Sequence, residues 1–264
     1  MNKQQPIDTN RGLNRPFWLS DPNRYQNLIE LGNEIDPCAL FQPWSTPVMG
    51  SRVPDKILNS MLEMTDSLLG EPGAKSHRKS LAGQISQETK VDLEVLKKSG
   101  LNKYFESMVV NYVKAALTQR DFDLANLIQK TDYLTEIRDM WVVSQKPGEY
   151  NPLHYHSGCH VSAVLYLKLP KMLPSEKKDL GQDSDGAIFF AGPPSADFTF
   201  SQQQFSVKPK VGDIYLFAAN QLHGVYPFRV SRDDHNDERR SVSFNAIFQA
   251  RSDFESGKPM SVLF

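Results

Sequence analysis

The features that this sequence lacks already exclude several classes of protein. Two cysteines among 264 residues cannot form a disulfide scaffold, and this composition suits a reducing compartment. The formal net charge of −1 gives no overall positive field, so a long nucleic acid is not expected as a partner. No apolar run reaches the roughly 18 residues of a membrane span, and the polar N-terminus lacks the apolar core of a signal peptide. We therefore expect a cytoplasmic protein without a membrane segment, either a monomer or a homodimer.

The first half of the chain has the spacing of helices. Apolar residues recur at helical intervals after Pro54 up to Gly70, and again over residues 101–117. The polar stretch 71–90 between these segments is expected to form a loop. Residues 1–133 are therefore predicted to be a mainly helical support region.

The second half of the chain has the spacing of strands. From residue 134 to residue 249, short apolar runs rich in Val, Ile, Phe and Tyr alternate with turn signals. Several short strands at this spacing are typical of a sandwich or a barrel. We predict a mainly β protein with α-helices, in which residues 134–249 are the core and residues 250–264 are a C-terminal tail.

Three histidines of the second half are placed to share one metal ion. His154 and His156 are two residues apart, so they point the same way if the strand is regular there. His223 follows a Gly-Asp turn signal and an apolar run. Imidazole binds iron, copper, nickel and zinc, and a metal would satisfy buried imidazoles that otherwise cost free energy. Each histidine alone has an ordinary explanation, but the three together favour a metal site.

The segment 239–245 supplies a candidate binding site for an acid. Strand alternation places Arg239 and Ser241 on one face and Arg240 on the other. The planar fork of arginine suits a carboxylate, so this strand could hold an acidic cosubstrate inside a barrel. The alternative is a surface arginine paired with an acidic residue of the loop 233–238.

In their order and spacing, these motifs resemble those of the 2-oxoglutarate/Fe(II)-dependent dioxygenase superfamily. The resemblance covers roughly residues 134–249. It includes Leu-His-Tyr-His-Ser-Gly at 153–158, Lys-Val-Gly-Asp-Ile-Tyr-Leu-Phe at 210–217, His-Gly-Val at 223–225 and Arg-Arg-Ser-Val-Ser-Phe-Asn at 239–245. The chain is most similar to a family of small, mostly uncharacterised bacterial and phage oxygenases. This resemblance implies a double-stranded β-helix, a jelly-roll or cupin-like core, buttressed by the N-terminal helices.

The resemblance also implies an enzyme that uses Fe(II), 2-oxoglutarate and O2. The expected reaction is a hydroxylase-type oxidation of an unidentified small molecule or protein side chain, with 2-oxoglutarate decarboxylated to succinate. The implied catalytic residues are the metal ligands His154, His156 and His223, together with Arg239. The implied cosubstrate-binding residues are Arg239, Ser241, Tyr166 and Ser162.

One departure from the superfamily pattern leaves alternatives open. His156 stands where the superfamily usually has Asp or Glu, so the net charge of the metal site would be one unit more positive. A first alternative is a cupin-type metalloenzyme that does not use 2-oxoglutarate, with His160 as a ligand and no role for Arg239. A second alternative is a non-catalytic binding module on the same fold.

Overall fold

The computed structural model describes residues 39–41, 46–70, 82–120, 124–174, 184–192, 204–233 and 237–258. Within these ranges the strands are β1 (Ala39–Phe41), β2 (Val48–Arg52), β3 (Gln87–Lys90), β4 (Tyr133–Gln145), β5 (Asn151–His154), β6 (Val161–Lys168), β7 (Ile188–Ala191), β8 (Gln204–Val207), β9 (Asp213–Ala218), β10 (His223–Val225) and β11 (Arg239–Ala250). The helices are α1 (Asp55–Gly70), α2 (Leu93–Ser99), α3 (Leu101–Arg120), α4 (Ala125–Lys130) and α5 (Arg251–Glu255).

The strands form two antiparallel sheets. The larger sheet has the order β1-β2-β9-β6-β11-β4-β3, and the smaller has the order β5-β10-β7-β8. Strands β4 to β11 contribute four strands to each sheet, and the chain crosses repeatedly from one sheet to the other. This winding is a double-stranded β-helix, so the predicted fold class is confirmed.

Helices cover the outer face of the larger sheet. The apolar stripe of α3, which includes Phe105, Met108 and Tyr112, is buried in one cluster with Leu165 of β6 and Phe244 of β11. The rings of Phe105 and Phe244 lie 5.3 Å apart. Burial of a side chain of this size contributes about 1.5–3 kcal/mol. The predicted helix pair is confirmed, and it buttresses the β-helix.

Local signals set both ends of helix α2. The Asp92 carboxylate accepts a hydrogen bond from the Glu94 backbone N–H at 2.8 Å, which caps the start of α2. Gly100 ends this helix with a φ of +79°, a left-handed conformation that glycine adopts without strain. The chain then turns directly into α3.

The expectation of a loop over residues 71–90 is wrong at its C-terminal end. Residues 87–90 form β3, which pairs with β4 at the edge of the larger sheet. Their sequence, Gln-Glu-Thr-Lys, has no apolar alternation, and pairing with a neighbouring strand is what buries Glu88 and Thr89. Residues 71–81 lie outside the described ranges. The boundary at residue 133 stays a prediction, and β1, β2 and β3 all precede it.

The inner face of the larger sheet points towards the smaller sheet. Val164 and Tyr166 of β6 pack there with Phe190 of β7 and Phe217 of β9. This second apolar cluster lines the space between the sheets, where the polar residues of the site lie. No described helix has the length and apolar character needed to cross a membrane.

Candidate metal centre and cosubstrate site

The structure brings the three predicted histidines together at one end of the smaller sheet. His154 ends β5, His223 begins β10, and the two residues are directly paired across these strands. The ring centres of this pair are 4.3 Å apart, and the ring of His156 lies 5.2 Å from each. One ring nitrogen from each histidine lies within 4.8 Å of the other two. This geometry suits three ligands on one metal ion.

Backbone carbonyl groups orient two of the three imidazoles. Nδ1 of His154 lies 2.7 Å from the Pro152 carbonyl oxygen, and Nδ1 of His223 lies 2.8 Å from that of Gln221. A carbonyl oxygen can only accept, so Nδ1 carries the proton in both rings. The lone pair of Nε2 is then left for a metal, an arrangement that is usual for histidine ligands.

His156 is oriented by its backbone rather than by its ring. It lies two residues beyond the end of β5, and its N–H donates to the Ala219 carbonyl oxygen at 2.8 Å. The ring packs near Trp141, with the ring centres 5.8 Å apart. Strand alternation alone therefore does not position His156. The backbone hydrogen bond to Ala219, which lies in a neighbouring segment, orients this residue towards the other two histidines.

Burial keeps all three imidazoles uncharged at neutral pH. Desolvation lowers the pKa of His154, lowers the pKa of His156 to about 4 and lowers the pKa of His223 well below its usual value. The proximity of His154 further lowers the pKa of the other two. A metal binds the neutral form of histidine, so these ligands need not lose a proton first.

Arg239 is a buried cation in the same cavity, which it lines together with the three histidines. Its side chain is 1% exposed, and Nη1 donates to Gln145 Oε1 at 2.5 Å. Among the described residues, its Nε and Nη2 have no hydrogen-bond partner. The guanidinium carbon lies 4.9 Å from the ring centre of Tyr166. Burial lowers the pKa of Arg239, and an uncompensated buried cation costs several kcal/mol, so the site is suited to an anion.

The other predicted site residues have different positions. Ser241 and Tyr166 line the cavity, and the Tyr166 hydroxyl has no hydrogen-bond partner among the described residues. Ser162 is on the same face of β6, but its hydroxyl donates to Asn245 Oδ1 at 2.7 Å and is not part of the cavity lining. His160 is also elsewhere, because its Nδ1 accepts a hydrogen bond from the Phe248 N–H.

Three polar residues of the cavity were not predicted as site residues: Ser243 of β11 and two residues on short strands. Glu88 of β3 and Asn151 of β5 both line it. The all-polar sequence of β3 carries no strand signal. The short β5 contains Pro152, which weakens a strand prediction further. Only the pairing of these strands with their neighbours shows that Glu88 and Asn151 face the histidines.

Fold and site together define a class of protein: a double-stranded β-helix with three histidines that could hold a metal ion and a buried arginine in the same cavity. The donor set suits Fe(II), and the unpartnered guanidinium N–H groups suit a carboxylate. Residues 139–245 match the family model described as "Putative 2OG-Fe(II) oxygenase". The match covers 107 of the 264 residues and lies within the β-helix core, so this part of the chain is similar to a family whose description names iron and 2-oxoglutarate.

Several solved structures are similar to this chain. A prolyl-4-hydroxylase from Pseudomonas putida is 17% identical with a TM-score of 0.44, and the match covers 75% of this chain and 91% of that one. HygX from Streptomyces hygroscopicus, solved with nickel, 2-oxoglutarate and hygromycin B, is 12% identical with a TM-score of 0.41, over 76% and 83% of the two chains. No curated protein sequence matches this chain.

Proposed function

We propose that this protein is an Fe(II)- and 2-oxoglutarate-dependent dioxygenase of the hydroxylase type. His154, His156 and His223 would hold the iron, and Arg239 would pair with the distal carboxylate of 2-oxoglutarate. Iron and cosubstrate together supply the activation of O2, which couples oxidation of the substrate to conversion of 2-oxoglutarate to succinate and CO2. The substrate would be a small molecule or a protein side chain.

The observation that carries this proposal is the burial of Arg239 in the cavity of the three histidines. A guanidinium whose Nε and Nη2 have no partner among the described residues is costly there unless an anion binds it. A metalloenzyme that does not use a diacid has no need of such a group. His160, which the cupin alternative requires as a ligand, is instead bonded to the backbone of Phe248. Both facts favour the 2-oxoglutarate enzyme.

The residues around Arg239 would set the position of the cosubstrate. Gln145 lies opposite Arg239 on β4, and its bond to Nη1 holds the guanidinium in one orientation. The Ser241 and Tyr166 hydroxyls lie on the same wall and can each donate to a carboxylate. A carboxylate on this wall would direct the opposite end of a short diacid towards the histidines.

Apolar side chains on the far side of the site would exclude water. The ring of Phe217 lies 4.5 Å from that of His223, and Phe190 packs against Phe217 at 5.1 Å. Both phenylalanines are almost fully buried. Electrostatic interactions are stronger where water is excluded, so these rings would strengthen the attraction between Arg239 and its anion.

An anaerobic titration tests the proposal. Iron-loaded protein should develop the visible charge-transfer band of an Fe(II)–2-oxoglutarate chelate. The Arg239→Gln protein should still bind iron but need much more 2-oxoglutarate, whereas Arg138→Gln, at an exposed position, should behave like wild type. Absence of the band from iron-loaded wild-type protein would rule out the proposed cosubstrate.

The cytoplasmic location, the oligomeric state and the domain boundary remain predictions from the sequence.

A further inference from the structure

One turn of the chain is bonded to two of the three proposed metal ligands. The Ala219 carbonyl oxygen accepts the His156 N–H at 2.8 Å, and the Gln221 carbonyl oxygen lies 2.8 Å from Nδ1 of His223. Both oxygens belong to the β9–β10 turn, which consists of residues 219–222. The position of this turn therefore sets the position of both ligands.

Main-chain hydrogen bonds fix the first residue of the β9–β10 turn to the larger sheet. The Ala219 N–H donates to the His160 carbonyl oxygen at 2.9 Å, and the His160 N–H donates to the Ala246 carbonyl oxygen of β11, also at 2.9 Å. Ala219 and Ala246 are both almost fully buried. Because main-chain groups make these bonds, this end of the turn does not depend on the chemistry of a side chain.

A side chain fixes the other end of the turn. Nε2 of Gln221 donates to the Ala191 carbonyl oxygen at 2.8 Å and to the Leu222 carbonyl oxygen at 2.9 Å. Carbonyl oxygens can only accept, so it is the amide nitrogen that faces them. Ala191 ends β7, so this amide bonds the turn to the smaller sheet. Gln221 is 4% exposed, and a buried amide with its hydrogen bonds made holds its surroundings rigid.

We propose that Gln221 is a positioning residue of the metal centre, and that its side-chain amide holds the carbonyl group that orients His223. This carbonyl oxygen accepts from Nδ1 and leaves Nε2 of His223 for the metal. Without the amide, the carbonyl group can shift, and the ring loses the bond that fixes its tautomer. This inference rests on the proposed function, because it takes the three histidines to be the ligands of the metal.

His154 provides a comparison within the same site. Its Nδ1 lies 2.7 Å from the carbonyl oxygen of Pro152, which belongs to β5 and not to the β9–β10 turn. Loss of the Gln221 amide should therefore change the ring of His223 and leave the ring of His154 as it is. A general loss of structure would change both rings.

Nuclear magnetic resonance of the metal-free protein tests the orientation of the rings. Long-range proton–nitrogen spectra at neutral pH distinguish the two tautomers of histidine, and His154 and His223 of the wild type should both carry the proton on Nδ1. In Gln221→Met, which keeps the volume but has no amide, only His223 should populate both tautomers. The matched control is Gln249→Met, because Gln249 is also buried and its amide donates to the Lys258 carbonyl oxygen at 2.9 Å. It should leave both rings unchanged.

Metal affinity gives a second measurement. Competition with a chromophoric chelator measures the binding of Zn(II) to the histidines in the absence of 2-oxoglutarate. Gln221→Met should raise the dissociation constant of Zn(II) about tenfold, which is the lower end of the effect of groups that hold metal ligands in place. Gln249→Met should keep the wild-type affinity. If Gln221→Met does not fold, Gln221→Glu takes its place: it keeps the size of the side chain, its carboxylate cannot donate to the two carbonyl oxygens, and the same changes are expected.

The outcomes separate this inference from the proposed function. An unchanged His223 ring or an unchanged Zn(II) affinity in Gln221→Met overturns the inference. Equal changes in the rings of His154 and His223 also overturn it, because they would indicate general disruption of the site. The expected changes in Gln221→Met, together with no charge-transfer band from iron-loaded wild-type protein and 2-oxoglutarate, would overturn the proposed cosubstrate and keep Gln221 as a positioning residue of a metal centre.

Discussion

Arg239 and Arg240 are neighbours in the sequence, but their side chains leave β11 on opposite faces of the larger sheet. Arg239 points into the cavity, where its only hydrogen bond to a described residue goes to Gln145. Arg240 points the other way, where Nε and Nη2 donate to Glu238 and Nη1 donates to Asp66. Two identical side chains thus have different environments, one without and one with carboxylate partners.

Substitution of Arg239 and substitution of Arg240 should have opposite effects on stability and on 2-oxoglutarate binding. Arg240→Met leaves the half-buried Glu238 without its cation and should lower the free energy of unfolding by about 1–3 kcal/mol, with 2-oxoglutarate affinity unchanged. Arg239→Met removes an uncompensated buried charge and should keep or raise stability while abolishing 2-oxoglutarate binding. Urea denaturation and anaerobic titration measure the two effects. Equal losses of stability in both proteins would contradict the assignment.

Gln145 should act on the cosubstrate through Arg239. Gln145→Met has a similar volume but cannot accept from the guanidinium or donate to the Glu149 carbonyl oxygen, to which its amide is bonded. We expect the dissociation constant of 2-oxoglutarate to rise about fivefold to tenfold, because one hydrogen bond that orients Arg239 is lost. The iron content should stay at the wild-type value. A fall in iron content would instead indicate general disruption of the cavity.

His156 is proposed as the third protein ligand of the iron. His156→Ala should weaken Fe(II) binding at least about tenfold, since even the loss of a residue that only hydrogen-bonds to a ligand costs that much at metal sites. His160→Asn is the matched control: its amide oxygen takes the position of Nδ1 and can still accept from the Phe248 N–H, and His160 lies outside the three-histidine cluster. Competition with a fluorescent chelator measures both affinities. Equal affinity of the His156→Ala protein and wild type would leave only two protein ligands.

The buried histidines should make the metal-free protein sensitive to acid. The pKa of His156 is about 4 in the folded protein and about 6.5 when unfolded, so between these values only the unfolded chain is protonated at this residue. Stability is therefore complete above pH 6.5 and falls as the pH drops towards 4, by about 3 kcal/mol from this residue. Urea denaturation at several pH values measures the slope. His156→Gln should flatten it, and an unchanged slope would show that His156 does not cause it.

Gly224 should be required for the position of His223. A Cβ at Gly224 would lie 2.6 Å from the Phe189 ring and 3.0 Å from the Asn151 carbonyl oxygen. Gly224→Ala should therefore lower both stability, by about 1–3 kcal/mol, and iron affinity. Gly100→Ala is the control: a Cβ there meets nothing within 4 Å, and its positive φ costs about 1 kcal/mol without reaching the metal. Normal iron binding by Gly224→Ala would contradict this.

The parts of the site on regular strands could be predicted from the sequence. Alternation along β11 correctly separates Arg239 from Arg240, because the two residues are consecutive in one strand and consecutive side chains point to opposite faces. The same reasoning places Ser162 on the correct face of β6, but a shared face does not make a shared cavity, and its hydroxyl bonds Asn245 instead. Alternation gives the direction of a side chain and not its position along the sheet.

The rest of the site depends on contacts between distant segments. Glu88 is buried by a strand that lies far from it in the sequence, and nothing in Gln-Glu-Thr-Lys indicates that pairing. His156 lies beyond the end of β5 and is turned inwards by a bond to Ala219. Such bonds are decided by tertiary structure, which local propensity does not encode.

The two halves of the proposed site belong to different sheets of the protein. The histidines are carried by β5, by the turn after it and by β10, whereas Arg239 lies on β11 of the opposing layer. A metal ion bound to a diacid would connect these two sheets. A ligand that binds only the native state stabilises that state more as its concentration rises above the dissociation constant. Proteolytic lifetime would then follow the supply of iron, so that a cell starved of the metal would lose the polypeptide as well as its activity.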